Sequence, residues 1–256
     1  MHKRFVVMAL LTFRCHPAAI KQEALAIAFA FNNRHPLKGG LLLCHHRALE
    51  AAQGALVDQD IYPESLELGT VATLGAVADH VRQAGLAAPV LVLELGGASS
   101  HAYVVSAAGV SLARQLSSGL DAMVPLVQRN LGLKDAAAAR KLLHANAFDF
   151  SAMGPELTLA LARELHGLIS HLEMRTGRSV SHLLNLRLPV KLGWLGTALA
   201  RGLGLEPLAP AMESWLAARG ITLAPAVRAA VGSDSGWLGV WGLMLRGEVH
   251  DVGQAA

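Results

Sequence analysis

A chain of 256 residues with 53% hydrophobic and 16% charged side chains has ample core for one large domain or two small ones, which excludes disorder. The formal charge is only +3, and Lys and Arg are dispersed; no basic run or basic–aromatic stripe marks a nucleic-acid face. Cys15 and Cys44 stand alone, so neither a disulfide framework nor a thiolate metal site is indicated, and a reduced, cytoplasmic setting fits best.

In chain order, Lys3 and Arg4 ahead of the apolar run Phe5–Phe13 imitate the start of a signal peptide, but no small-residue cleavage site follows. Phe5–Phe13 and Ala24–Phe31 are both shorter than the roughly 20 apolar residues of a membrane span. The first therefore reads as a strand or short buried element, and Ala18–Asn32 as a helix. Leu41–His45 reads as a strand, Arg47–Val57 as a helix, Ser65–Gly69 as a strand, and Val71–Ala84 as a helix stopped by Gly85. Strands alternating with helices imply an α/β arrangement with parallel pairing.

The stretch Val90–Val105 holds an apolar strand, a Gly/Ser turn and a second alternating strand, continued by Gly109–Leu116. Glu94 precedes the first glycine by two positions. Gly96 and Gly97 would let backbone N–H groups approach a ligand, and Ala98 completes a run of small residues. Ser99 and Ser100 add hydroxyls, so the turn could cradle a phosphate. Taken alone, such a turn is more often a plain hairpin. Helices are expected at Leu120–Leu131, Lys134–His144 and Glu156–Arg175, the last placing Leu157, Leu161, Leu165, Leu168 and Leu172 on one packing stripe. A strand Ser181–Leu186, a helix Leu192–Leu203 and a short strand Leu205–Leu208 follow. The chain closes on Ser233–Gly247, a glycine-lightened helix with Ser233, Asp234 and Ser235 as capping residues.

Other chemistry is thinly supported. Cys44, His45 and His46 lack a complementary ligand pair at metal spacing, and the remaining histidines are scattered. No Gly-x-Ser-x-Gly elbow supports a Ser–His–Asp set. Trp194, Trp215, Trp237 and Trp241 have no regular spacing and read as core or interface anchors.

Four pieces in this order resemble the actin/Hsp70/sugar-kinase ATPase superfamily, and within it the PilM-type actin-like proteins of type IV pilus assembly. Leu41–Gly69, with Ile61–Leu68 as its connection, resembles that family's strand–helix–strand. Leu93-Glu-Leu-Gly-Gly-Ala-Ser-Ser100 resembles the second phosphate loop, Asp-x-Gly. Ser117–Val124 with Ala136–Leu143 resembles the paired helices that follow, and Trp241–Gly247 the terminal “GLALR” helix. The motifs are individually weak, and their order is the stronger signal. The cytoplasmic domain of the type II secretion protein GspL has the same architecture and is the nearest rival.

The resemblance implies an α/β, actin-like (ribonuclease H-like) fold with an incomplete first lobe. Residues 1–88 would form that partial lobe and 89–256 a second lobe with a helical insertion. Glu94, Gly96, Gly97, Ala98, Ser99 and Ser100 would be the phosphate loop, with ATP and Mg²⁺ as the implied cofactors. The chain departs from the family pattern at three places, and the first two argue against an active site. No Asp-x-Gly turn lies between Met1 and Gly40, where a first phosphate loop is due; those residues would be a diverged remnant, or the true start lies upstream. Arg187 and Leu188, followed by Pro189, stand where a Gly-Gly adenosine loop would let the backbone approach a base. Glu94 replaces Asp, a change that a water-mediated Mg²⁺ contact could survive. Phosphoryl transfer rests on positioning and electrostatics, so the loss of one clamp points away from hydrolysis. The expected role is a non-catalytic scaffold, peripheral to the inner membrane on its cytoplasmic side, that binds the tail of a membrane-anchored pilus assembly or secretion protein. The alternative is an active ATPase or kinase of the same superfamily; self-association and partner identity stay open.

Overall fold

The computed structural model describes residues 9–11, 24–28, 41–45, 50–51, 54–55, 57–58, 66–225, 227–228 and 234–251. The chain divides into two compact units, one of residues 1–77 with 237–256 and one of residues 78–236.

In the first unit, strand β1 (Ala9–Leu11) pairs in parallel with β4 (Leu66–Leu68), and β2 (Ala24–Ala28) pairs antiparallel with β3 (Leu41–His45). The helix expected over Ala18–Asn32 is corrected at residues 24–28, which form β2; the rest of that range lies outside the described residues. The reason is physical: a short all-apolar run such as Ala24-Leu-Ala-Ile-Ala28 suits strand or helix alike, and an available partner strand decides. Residues 50–51, 54–55 and 57 are helical, inside the expected helix Arg47–Val57. Helix α1 (Gly69–Gln83) runs from this unit into the second and ends as expected at Gly85, whose φ of +66° suits a residue without Cβ. The terminal helix α7 (Leu238–Asp251) packs on α1 through Gly242, where a Cβ would stand 2.6 Å from the Ala72 carbonyl oxygen. Ahead of it, Asp234 Oδ1 accepts from the Gly236 N–H at 2.8 Å, a capping role close to the one expected of Ser233–Ser235.

The second unit is built on a five-stranded sheet of order β7-β6-β5-β8-β9. Its strands are β5 (Val90–Glu94), β6 (Ser100–Ser106), β7 (Gly109–Leu116), β8 (His182–Leu186) and β9 (Glu206–Pro207). β5, β6 and β7 form an antiparallel meander; β8 joins β5 in parallel, with Val90 opposite His182 and Glu94 opposite Leu186, and β9 joins β8 in parallel. Leu91, Leu93, Ala102, Val104, Leu116 and Leu183 face one side of the sheet. They enter a core shared with helices α2 (Val124–Asn130), α3 (Ala136–Ala145), α4 (Gly154–Thr176) and α5 (Gly193–Leu203). The opposite face is buried too, at Val90, Val92, Val105, Leu184 and Leu186. A sheet covered on both faces explains why β5 is a continuous apolar run.

The stripe expected on α4 is present: Leu157, Leu161, Leu165, Leu168 and Leu172 are all buried. Each such leucine contributes roughly 2 kcal/mol of apolar burial. The single helix expected over Leu120–Leu131 is instead a 3₁₀ turn, Leu120–Met123, followed by α2. Pro125 lies in the first turn of α2; it has no N–H to extend an earlier turn, so the α-helix starts there. Helix α6 (Met212–Ala217) has no counterpart in the sequence reading.

Candidate functional site

The C-terminal ends of the parallel strands β5 and β8 meet at one rim of the second unit's sheet. In open α/β sheets ligands gather at this end, because loops leave the strands there and backbone groups turn outward. β5 ends on Glu94, and Leu95–Ser99 turn the chain into β6. The structure therefore brings together the six residues singled out in the sequence, Glu94, Gly96, Gly97, Ala98, Ser99 and Ser100.

Two of the glycines near this turn are sterically required. A Cβ on Gly96 would overlap the Ser99 carbonyl oxygen, and one on Gly119 would overlap the carbonyls of both Gly96 and Gly97. Gly119 opens the segment that seals the loop from one side. The N–H groups of Leu120 and Asp121 donate to the Gly96 and Gly97 carbonyls, both at 2.9 Å, and the fully buried Ser100 hydroxyl donates to the Ser118 carbonyl at 2.7 Å. Among the described residues, the backbone N–H groups of Gly97, Ala98 and Ser99 donate to no backbone carbonyl outside the strands. The Ser99 hydroxyl accepts from Gln115 Nε2 at 3.4 Å.

Charged groups surround the turn. Asp121 Oδ1 is paired with Arg140 Nε at 3.0 Å, and its Oδ2 lies 3.5 Å from where a Gly97 Cβ would be. The Glu94 carboxylate meets Arg187 Nη1 at 3.5 Å, both side chains being partly exposed. Arg187 is the first residue beyond β8 and follows Leu186, the register partner of Glu94. Its φ of +54° lies in the left-handed region that glycine tolerates best, so the backbone keeps a glycine-like turn while carrying a guanidinium. Tyr103 is close enough to Glu94 to feel its charge. Burial first, and that carboxylate second, push the Tyr103 phenol up to about 12. The His101 ring stacks on Tyr103, with centroids 6.4 Å apart and 15° between the planes.

Helix α4 holds the sealing segment. Glu164 accepts from the Ser117 N–H and hydroxyl, both at 2.9 Å, and from the Ser118 hydroxyl. Desolvation raises the Glu164 pKa, but the hydrogen bonds from Ser118 and Ser117 outweigh it and hold the carboxyl below the usual 4.5. A carboxyl more acidic in the folded chain adds stability above its unfolded pKa and loses it as pH falls through the folded value. Glu164→Gln should therefore lower the urea midpoint at neutral pH, and the gap from wild type should close below about pH 4.5. Equal midpoints at pH 7 would refute the clasp.

On the far side of β8, the Asn185 amide packs against α5, where a Gly196 Cβ would lie 2.7 Å from Nδ2. The loop between β8 and α5 leaves Val190 97% exposed. Sequence reasoning found the turn but missed Asp121, Glu164 and the ionic contact of Arg187. The one signal for that contact was the parallel pairing of β5 with β8, which places the residue after one strand beside the last residue of the other. No group of His, Cys, Asp or Glu able to hold a metal ion occurs among the described residues.

No protein-family profile matches the chain, and no curated protein matches it. Solved structures do. The structure of the PilM–PilN type IV pilus biogenesis complex is similar at a TM-score of 0.54 and 19% identity, over 82% of this chain and 61% of that one. The ethanolamine utilization protein EutJ from Carboxydothermus hydrogenoformans gives 0.45 at 12% identity, over 79% of this chain and 62% of that one. Ta0583, an archaeal actin homolog, gives 0.44 at 12% identity, over 73% of this chain and 56% of that one. The chain thus spans less than two thirds of the length of these structures. The α/β sheet with its helical layer shares its fold with the PilM–PilN structure, the actin-like fold expected from the sequence.

Proposed function

We propose that the chain is a non-catalytic actin-like scaffold of type IV pilus assembly, which binds the tail of a membrane-anchored assembly protein at the cytoplasmic face of the inner membrane. The observation that carries the non-catalytic part is the Glu94–Arg187 contact. A strand-end carboxylate that would face a hydrated Mg²⁺ in an ATPase here faces a guanidinium, and a dication beside that guanidinium is repelled. Asp121 adds a negative group next to Gly97, where a phosphate would have to approach. Glu94, Gly96, Gly97, Ala98, Ser99 and Ser100 are read as the relic of a phosphate loop, and the residues around them do not fit an Mg–nucleotide pair.

The likeness in fold to PilM, solved in its complex with PilN, supports the partner class. No helix among the described residues is long and apolar enough to cross a membrane, which suits attachment through a partner. An extended tail docks by main-chain hydrogen bonds and alternate side-chain pockets, a mode that a strand edge or groove near residues 40–88 would serve.

Calorimetry with Mg-ATP, run beside capture by an immobilised tail of a PilN-type protein, tests the reading. The expected result is no saturable heat at millimolar nucleotide and retention on the tail. Tight Mg-ATP binding that Gly96→Val abolishes would overturn the non-catalytic reading, and loss of the tail interaction would overturn the scaffold reading.

A further inference from the structure

We infer that Arg187 is a built-in cation: it takes the charge-neutralising place beside Glu94 that a bound divalent metal would otherwise hold, and it keeps this rim of the sheet metal-free. The inference rests on the proposed function and deepens it, assigning to one side chain the loss of cation binding.

Three observations converge on Arg187. Its guanidinium is 3.5 Å from Glu94 Oε1, and Arg187 directly follows Leu186, the register partner of Glu94 at the ends of β5 and β8. Its backbone is left-handed at φ +54°, a conformation that costs any residue with a Cβ, so glycine would be the unstrained choice. The chain instead carries its strongest permanent cation at that point. The pair is also part-exposed, with side chains 38% and 27% accessible, and surface pairs of this kind add little to folding stability. Stability therefore gives a poor account of the residue, whereas charge placement gives a direct one. Around Glu94 the other titratable neighbours are its direct cross-strand partner His101 and the Tyr103 that stacks on it. Neither supplies a permanent positive charge. Removing Arg187 leaves the Glu94 carboxylate without its cation at a turn of small residues, a hard oxygen donor of the type that suits a hard cation.

Terbium(III) is a suitable probe, because a nearby tyrosine sensitises its emission and Tyr103, opposite Val92, shares the sheet face of Glu94. The full chain is titrated with Tb³⁺ as wild type, Arg187→Gln and Arg187→Gly, each also with Tyr103→Phe. The glycine variant guards against misfolding, since glycine accepts φ +54° without strain. Expected is a Tyr103-dependent emission in both Arg187 variants, with apparent affinity at least tenfold above wild type, lost on adding Glu94→Gln and competed by millimolar Mg²⁺. Folded Arg187 variants that gain no such site would overturn the inference and leave the proposed function standing. Equal Tyr103-dependent affinity in wild type and variants would also overturn it. Mg-ATP binding by the wild type, measured separately, would instead strike the proposed function.

Discussion

Gly119→Ala is expected to destabilise the second unit by about 3 kcal/mol, because the new methyl group has nowhere to go. Gly119 is extended, with φ −140° and ψ −166°, so no left-handed strain is involved and the argument is purely one of space. Its Cβ would press on the backbone oxygens of Gly96 and Gly97, which accept the Leu120 and Asp121 N–H groups. A flexible side chain could rotate away from a methyl group, but paired carbonyls cannot. The turn and the sealing segment would have to part, breaking two backbone hydrogen bonds and the Ser100–Ser118 bond with them. Gly96→Ala should cost a similar amount, through overlap with the Ser99 carbonyl. Gly167→Ala is the control: it lies within α4, no heavy atom is within 4 Å of its added Cβ, and helix propensity predicts a gain of about 0.5–1 kcal/mol. Thermal and urea unfolding followed by circular dichroism would show the contrast. A Gly119→Ala midpoint within error of wild type would show that the loop is not sealed as described.

The sequence discloses most of this sheet because its strands are punctuated. β7 occupies the expected Gly109–Leu116, and α4 extends the expected Glu156–Arg175 by two residues at the N-terminal end and one at the other. Glycine and proline mark both cases: Gly109 has φ +117°, Gly177 caps α4 at φ +64°, and Pro155 sits in its first turn. Helix α6 leaves no such trace. It has six residues, fewer than two turns, and follows Pro207 and Pro210, so no 3.6-residue period can develop. The site shows the same divide. Gly96 and Gly97 announce a turn by themselves, since their chemistry is local. Arg187 is legible only as a departure from glycine, because its partner Glu94 is reached through the β5–β8 register, and register is a property of the folded sheet. Glu164 is hidden for the same reason: from sequence it is one more polar residue on an amphipathic helix, and only the packing of α4 shows it under Ser117 and Ser118.

Trp215→Ala is expected to cost 3–5 kcal/mol in roughly the way that other buried aromatic truncations do, and it tests the element that the sequence did not reveal. Trp215 is fully buried and is the largest such side chain in the described structure. Its ring meets His80 of α1 edge-on, with centroids 6.2 Å apart, and its indole N–H donates to Asp79 Oδ2 at 2.9 Å. Asp79 also accepts from Arg219 Nε at 3.0 Å and from Arg82 Nη1 at 3.1 Å. The carboxylate thus keeps cationic partners when the indole is removed, and the loss is mainly one of packing. Trp215→Phe separates the two terms. It keeps an aromatic ring but deletes the N–H, so about 1–2 kcal/mol should be lost. Burial lowers the His80 pKa against the opposing pull of Asp79, so truncating Trp215 should let water in and return the imidazole toward 6.5. Urea midpoints for the three proteins, with the His80 titration followed by NMR, give two independent readings of one contact. If Trp215→Ala unfolds like wild type and His80 titrates unchanged, α6 does not pack on α1, because burial of that indole cannot be removed without exposing the imidazole beside it.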